Sequence, residues 1–213
     1  MNRLKAFTLG GLLALGVGTA FAAAQLGHDY SMVEPPQPTD VAGKVEVIEF
    51  FSFGCPHCNH LEPSLEAWTK RQPGNVVVHR IPVTFGRTEW VALAKLYFTL
   101  ETMGEADRLT GKVFHAVHEE RVNLGTTEGC ADWAAKQGLD RAKFLDIFNS
   151  FAVQSKLQRA NMRAATYAVD GVPTLIVDGH FRTSPAMAGG NESSLAVADE
   201  LIQMSSKDKV GHK

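Results

Sequence analysis

The feature that most constrains the fold is an apolar segment that ends in two closely spaced cysteines. Residues 44–51 are rich in β-branched and aromatic side chains, which predicts a buried strand. Residues 52–54, Ser-Phe-Gly, predict a turn. From Cys55 to Trp68 the apolar side chains recur at helical spacing, and Pro56 occupies a position that the first turn of a helix tolerates. The segment is therefore predicted to form a strand, a turn and a helix, with Cys55 at the helix start.

The remaining elements give an α/β order with a long helical block in the middle. They are a strand at 76–83, helices between 89 and 169, a strand at 172–177, a hairpin turn at 178–179 with a returning strand at 180–182, and a helix at 193–204. The order is β-α-β, then helices, then β-β-α. A plain crossover needs only about 10–12 residues. We therefore predict that the block is an inserted helical subdomain packed against the sheet.

The beginning of the chain has the pattern of a secretory signal peptide. A short basic start is followed by a mostly apolar run at 6–19 and by the small-x-small motif Ala20-Phe21-Ala22. The run is shorter than the roughly 20 residues of a membrane span. We predict cleavage after Ala22 or after Ala24, with an uncleaved anchor as the alternative. Export would allow a disulfide to persist in the mature protein.

These observations divide the chain into five parts. They are a signal peptide at 1–22, an extended proline-containing leader at 23–44, an α/β domain formed by 45–88 and 170–205, the inserted helical subdomain at 89–169, and a loose polar tail at 206–213.

Charge and cysteine content narrow the function classes. The formal net charge is −2 and the isoelectric point is about 6.4, so no basic face is expected. We therefore predict that the protein does not bind nucleic acid. The chain has three cysteines, which is too few for a fold stabilised by several disulfides. The number is consistent with one cysteine pair and one remaining thiol. Cys130, in a predicted helix, is expected to be a small buried hydrophobe. An exposed reactive or partner-linked thiol is the alternative.

The sequence Cys55-Pro56-His57-Cys58 predicts redox chemistry. At a helix N-terminus, unpaired N–H groups and the helix dipole favour an anion, so they activate Cys55 as a thiolate. His57 can stabilise that thiolate further. Stabilising the reduced form disfavours the disulfide, which makes the pair an oxidant of other dithiols. Cys58, deeper in the helix, is the expected resolving thiol.

Two other interpretations of the cysteine pair stay open at this point. A Cys-x-x-Cys pair is also half of a zinc site, but no second close pair of ligands accompanies it. A purely structural disulfide would close only a very short loop, which constrains the unfolded chain little. Reactivity is the better explanation of the spacing.

The residues from Val47 to Cys58 closely resemble the active-site segment of the DsbA family of periplasmic dithiol oxidases. The sequence Gly171-Val172-Pro173-Thr174 looks like the second motif of that family, which holds a cis-proline beside the active site. The resemblance runs from Val45 to the last helix. It implies a thioredoxin fold with a helical insertion, which agrees with the element order above.

The resemblance also implies roles for further residues. A cis Val172–Pro173 bond would expose the Val172 backbone to an extended substrate, which could pair with it by strand addition. An acidic residue at the position of Glu49 is buried beneath the active site in the family and could relay protons to Cys58. Arg80 stands where the family often has lysine, and its permanent charge could hold Glu49 ionised.

Together these features predict a periplasmic dithiol–disulfide oxidoreductase that donates a Cys55–Cys58 disulfide to folding secreted proteins. The resemblance implies reoxidation by a DsbB-type quinone-linked membrane protein. No organic or metal cofactor is expected, and a monomer is expected. The alternatives are a disulfide isomerase or reductase of the same fold, and a non-catalytic zinc-binding or chaperone-like module.

Overall fold

The computed structural model describes residues 23–211, with side chains described through Lys207. The predicted signal peptide at 1–22 lies outside the described residues. Within the described range, no helix is both long enough and apolar enough to cross a membrane.

A mixed five-stranded sheet forms the centre of the molecule. Its strands are β1 (Tyr30–Met32), β2 (Val45–Phe51), β3 (Val76–Pro82), β4 (Thr174–Val177) and β5 (Phe181–Thr183), in the spatial order β1-β5-β4-β2-β3. Only the β2–β3 pair is parallel among these strands, and α1 (Pro56–Arg71) makes the crossover between them. The other three pairs are antiparallel.

Strand β2 lies inside the sheet, between β4 and β3, and is covered on both faces, as its largely apolar sequence predicts. Every one of its residues is buried. Ile48 and Phe50 point into a cluster shared with the helical block, whereas Val45 and Val47 point into a second cluster on the opposite face. Both faces of β2 are therefore covered, and its carboxyl end leads directly into the turn before the two cysteines.

The helices form two layers around the sheet. The first layer is α1 together with the terminal helix α7 (Asn191–Gly211), whose Leu195 and Leu201 pack with Leu61 and Leu65 of α1. The second layer lies between β3 and β4 in the chain, where the sequence predicted a helical block. It comprises α2 (Thr88–Thr102), α3 (Ala106–His118), α4 (Thr127–Lys136), α5 (Arg141–Phe148) and α6 (Phe151–Thr166).

Short polar side chains set the starts of three of these helices. Thr126, Asp140 and Ser150 each accept a hydrogen bond from the backbone N–H three residues further on. Such N-caps satisfy amide groups that have no partner inside the helix. The caps explain why the block breaks into separate helices that can fold back on the sheet.

Two parts of the predicted layout differ from the structure. The leader is not simply extended, because residues 30–32 form β1 and pair antiparallel with β5. The tail from residue 206 is not loose, because α7 continues to Gly211. Strand β1 is only three residues long, too short for its alternation to be distinctive, and the end of α7 is polar without an apolar period, so hydrophobic patterning alone could not identify either feature.

Candidate active site

Cys55 occupies the N-cap of α1, as the sequence predicts. Its backbone is extended, and Pro56 follows in the first turn of the helix. The turn before it approaches α2 closely, since a Cβ added to Gly54 would lie 2.5 Å from Nε1 of Trp90. Glycine at 54 therefore lets the turn pack against Trp90 and fixes where the helix begins.

The two thiols of the pair have opposite electrostatic environments. Cys55 and Cys58 are both free thiols and both buried. A hydrogen bond from the Cys58 thiol is the main reason that the pKa of Cys55 falls to about 6, and backbone N–H groups of Cys58 and His57 add to it against the effect of burial. Burial raises the pKa of Cys58, as does its hydrogen bond to Cys55. At neutral pH the pair therefore holds one thiolate, on Cys55.

His57 contributes less to this thiolate than the sequence suggests. Its side chain is exposed on the first turn of α1, with its ring 6.5 Å from that of His60. Its charge is the smallest of the influences that lower the pKa of Cys55. Hydrogen-bond donors at the helix start account for most of the effect.

The second motif lies directly against Cys55. The Sγ of Cys55 lies 3.3 Å from the carbonyl oxygen of Val172, and the Val172–Pro173 peptide bond is cis. The cis bond agrees with what the resemblance implied. A groove of about 710 Å³ opens beside this loop and is bordered by His57 and His60 from α1. The groove therefore opens beside the loop that contacts Cys55.

Glu49 is buried beneath the pair and belongs to a three-residue charged cluster. Arg80, its neighbour in the parallel register, places Nε 3.3 Å from a Glu49 carboxylate oxygen and Nη1 2.9 Å from the carboxylate of Glu62. The hydrogen-bond geometry is satisfied with Glu62 but not with Glu49. The Glu49 contact is thus a charge contact without a formed hydrogen bond.

The Arg80 pairing does not hold Glu49 fully ionised. Burial raises the pKa of Glu49 to about 7, outweighing the opposing effect of Arg80, and the nearby Glu62 raises it further. The negative charge of Glu49 in turn helps to raise the pKa of Cys58, after burial and the hydrogen bond to Cys55. Glu49 can therefore gain or lose a proton near neutral pH close to Cys58.

Two residues of the site were not identified from the sequence. Glu62 is buried on α1, one residue after an apolar position, and only the close approach of Arg80 marks it as part of the cluster. His118, at the end of α3, lies with Nε2 2.8 Å from the carbonyl oxygen of Phe53 in the turn before Cys55. Both contacts join residues that are distant in sequence, so no local pattern signals them.

Cys130 is the third free thiol and lies in the core of the helical block. It is completely buried, and its Sγ donates to the carbonyl oxygen of Leu124 at 3.1 Å. Burial raises its pKa to about 12, which keeps it a thiol at neutral pH. The prediction of a buried, small hydrophobic residue is confirmed.

Among the described residues, no group of three or more His, Cys, Asp or Glu side chains is arranged to hold a metal ion.

The fold and the site together define a class of protein. A Cys-x-x-Cys pair at the start of the first long helix, with a low-pKa outer thiol facing a cis-proline loop, is built for exchange between thiols and disulfides.

Comparison with known proteins identifies the family. Residues 46–201 match the DSBA-like thioredoxin domain. The thiol:disulfide interchange protein DsbA of Bordetella pertussis is 42% identical over 91% of this chain and 94% of its own, and that of Burkholderia cepacia is 39% identical over 90% and 93%. The crystal structure of Pseudomonas aeruginosa DsbA superposes with a TM-score of 0.83 at 37% identity, covering 89% of this chain and 97% of its own.

The chain belongs to the DsbA family and has its thioredoxin fold. It is an enzyme, a thiol:disulfide oxidoreductase. The predicted fold class and the predicted activity are both confirmed.

Proposed function

We propose that the protein is a dithiol oxidase that hands a Cys55–Cys58 disulfide to other proteins. The observation that carries this direction is the pKa of about 6 for Cys55 beside the raised pKa of Cys58. A thiolate that is stable at neutral pH favours the reduced pair over the disulfide. The oxidised pair then gains free energy by transferring its disulfide to a substrate.

Each turnover moves two electrons from the substrate to the cysteine pair. A substrate thiolate attacks Sγ of Cys55, the Cys55–Cys58 bond breaks, and Cys58 departs as a thiolate that takes up a proton. A second substrate thiolate then attacks the substrate sulfur of the mixed disulfide, and Cys55 leaves as its stabilised thiolate. The substrate keeps a new disulfide and the enzyme is left reduced. If the second substrate thiol is absent, Cys58 resolves the mixed disulfide and releases the partner unchanged.

Glu49 is the proposed proton relay for Cys58. The departing Cys58 sulfur is buried and must be protonated, because burial strongly disfavours its charged form. A carboxylic acid with a pKa of about 7 can supply that proton and later recover it. Arg80 would orient the carboxylate through its charge and its bond to Glu62.

Val172 and Pro173 are the proposed substrate-binding residues. The Val172 carbonyl oxygen lies 3.3 Å from Sγ of Cys55, so this backbone lies within reach of anything bonded to Cys55. An extended substrate could pair with it in the manner of strand addition, with its side chains entering the adjacent groove. Backbone pairing does not depend on the side chains of the substrate at the paired positions.

We further propose a periplasmic location and a membrane reoxidant. The predicted signal peptide at 1–22 supports export, and the family resemblance supports a DsbB-type quinone-linked protein that returns the pair to its disulfide. The chemistry requires only the protein's own sulfurs, so neither an organic nor a metal cofactor is proposed. We propose that the protein works as a monomer on folding secreted proteins.

The test is the equilibrium of the purified protein with glutathione redox buffers. We expect the Cys55–Cys58 disulfide to be reduced even in oxidising buffer, with Cys55→Ser abolishing oxidation of a reduced substrate protein. Cys130→Ser is the matched control, since a hydroxyl can still donate to Leu124, and it should keep full activity. A disulfide that resists reduction would instead indicate a reductase or isomerase. Full activity in Cys55→Ser together with bound zinc would indicate a metal-binding module.

A further inference from the structure

Arg182 lies on β5 and borders the groove beside the Val172–Pro173 loop. In the sheet register it stands between Ser31 of β1 and Ile176 of β4, and both it and Ser31 line the groove. It is only half-buried, unlike its neighbours in β5. An arginine placed along a substrate groove can act on the substrate directly.

The protein uses only part of the hydrogen-bonding capacity of Arg182. Its Nη2 donates to the carbonyl oxygen of Tyr167, at the end of α6 and just before the loop that carries Val172. Its Nε is buried and has no hydrogen-bond partner among the described residues. A guanidinium group has five N–H donors and always carries its charge. Among the described residues, the charge of Arg182 therefore has no carboxylate partner.

The other residues of the groove do not neutralise this charge. Asp170 is the single acidic residue along it, and it is exposed without an ion pair to Arg182 among the described contacts. His57 and His60 add no negative charge, and the remaining wall includes Pro185 and Met187. The groove thus combines apolar and uncharged polar residues with two opposite charges, those of Arg182 and the exposed Asp170, which form no ion pair among the described contacts.

We propose that Arg182 determines substrate specificity by favouring segments with a carboxylate side chain close to the reacting cysteine. An extended chain paired with Val172 advances about 3.3 Å per residue and places alternate side chains on one side. A residue within a few positions of the cysteine therefore enters the groove. There an Asp or Glu accepts a charge-assisted hydrogen bond from Arg182, whereas a Lys is repelled. This inference rests on the proposed function and names a substrate class for it.

The experiment compares the oxidation of matched dithiol peptides. Three short peptides differ at one position beside a cysteine, which is Glu, Gln or Lys, and the disulfide-form protein is reacted with each. We expect the wild type to prefer the Glu peptide over the Lys peptide by about tenfold at low salt, with the preference shrinking as salt is added. In Arg182→Met the ratio should approach one, and in Arg182→Lys it should be partly retained.

Each comparison is the ratio of the oxidation rates of two peptides by one enzyme variant. Differences between the thiol pKa values of the peptides affect this ratio equally in every variant, so they cancel when the variants are compared. Arg159→Met, at an exposed arginine on α6 outside the groove, is the matched control and should keep the wild-type ratio. If Arg182→Met slows all three peptides by one factor and leaves the ratio unchanged, Arg182 only holds Tyr167 in place and the inference is wrong. Should Arg182→Met fail to fold, a wild-type ratio that does not change with salt overturns it. Failure of the wild type to oxidise dithiothreitol would instead refute the proposed oxidase function.

Discussion

The Nε2 of His118 lies 2.8 Å from the carbonyl oxygen of Phe53, which joins the end of α3 to the turn before Cys55. A carbonyl oxygen can only accept, so the ring nitrogen donates this hydrogen bond. The bond survives protonation of the ring, because the imidazolium also carries a proton on Nε2. The helical block therefore holds the active-site turn in place, and the inserted helices do more than cover the sheet.

Replacing His118 should loosen this turn. His118→Phe keeps a ring to stack on Phe114 but leaves the Phe53 carbonyl without its donor. We expect a loss of stability of about 1–3 kcal/mol, with faster hydrogen exchange at the amides of Gly54 and Cys55. His115→Phe, on the exposed side of the same helix, is the control and should change neither. Equal exchange rates in the two variants would show that His118 does not hold the turn.

The thiol of Cys58 should be the main source of the low pKa of Cys55. Cys58→Ser keeps a hydrogen-bond donor and should leave the Cys55 pKa near 6, whereas Cys58→Ala removes it. We expect the Ala variant to raise that pKa by about one pH unit or more. The measurement is the ultraviolet absorbance of the thiolate against pH. Identical midpoints in the two variants would assign the effect to the backbone amides instead.

Glu49 should make the stability of the protein depend on pH in a defined direction. Its folded-state pKa of about 7 lies above its ordinary value of 4.5, so the native state favours the protonated acid. The associated destabilisation is absent below pH 4.5, grows as pH rises, and levels off above about 7. Glu49→Gln should remove it, making the variant more stable than wild type by roughly 1–3 kcal/mol at alkaline pH and by little in acid.

Urea unfolding across this pH range tests the Glu49 prediction. Glu119→Gln, at an exposed acid after α3, is the control and should follow the wild-type curve. A Glu49→Gln curve that runs parallel to the wild-type curve at every pH would show that folding does not raise the pKa of Glu49. A wild type that gains stability relative to Glu49→Gln as pH rises would show that Arg80 lowers that pKa instead.

Adding a methyl group at residue 54 should displace the active-site turn. In Gly54→Ala the new Cβ would lie 2.5 Å from Nε1 of Trp90, so the turn or the indole must move. We expect a loss of about 1–3 kcal/mol and a lower rate of substrate oxidation. Gly111→Ala, in the exposed interior of α3 with open space around the glycine, should gain roughly 0.5–1 kcal/mol. Thermal melts of both variants measure these changes in stability. A Gly54→Ala variant as stable as the wild type would contradict the close packing of the turn against Trp90.

The sequence was sufficient where the signal is local. The apolar run before Cys55, the proline after it and the periodicity of the following helix together predicted β2, the turn and α1 correctly. The Asp178-Gly179 turn likewise predicted the hairpin between β4 and β5. These elements depend on neighbouring residues, whose spacing can be read directly.

The parts that were missed depend on contacts between distant residues. Strand β1 is only three residues long and is defined by its pairing with β5. The partnership of Arg80 with Glu62 needs α1 to lie across β3, and His118 reaches Phe53 only once α3 has packed. The terminal helix α7 extends beyond the last of its regularly spaced apolar residues, so the sequence of its last turns has no hydrophobic pattern that predicts a helix.

The β1–β5 pairing has a consequence for how the chain reaches its native state. Tyr30 pairs with Thr183, and the backbone N–H of Ala24 donates to Glu200 on α7. The earliest described residues can therefore form their native contacts only when nearly the last described residues are available. The segment that carries Cys55 and Cys58 is therefore synthesised well before the sheet can gain its β1 edge, and the sheet around the cysteine pair is completed last.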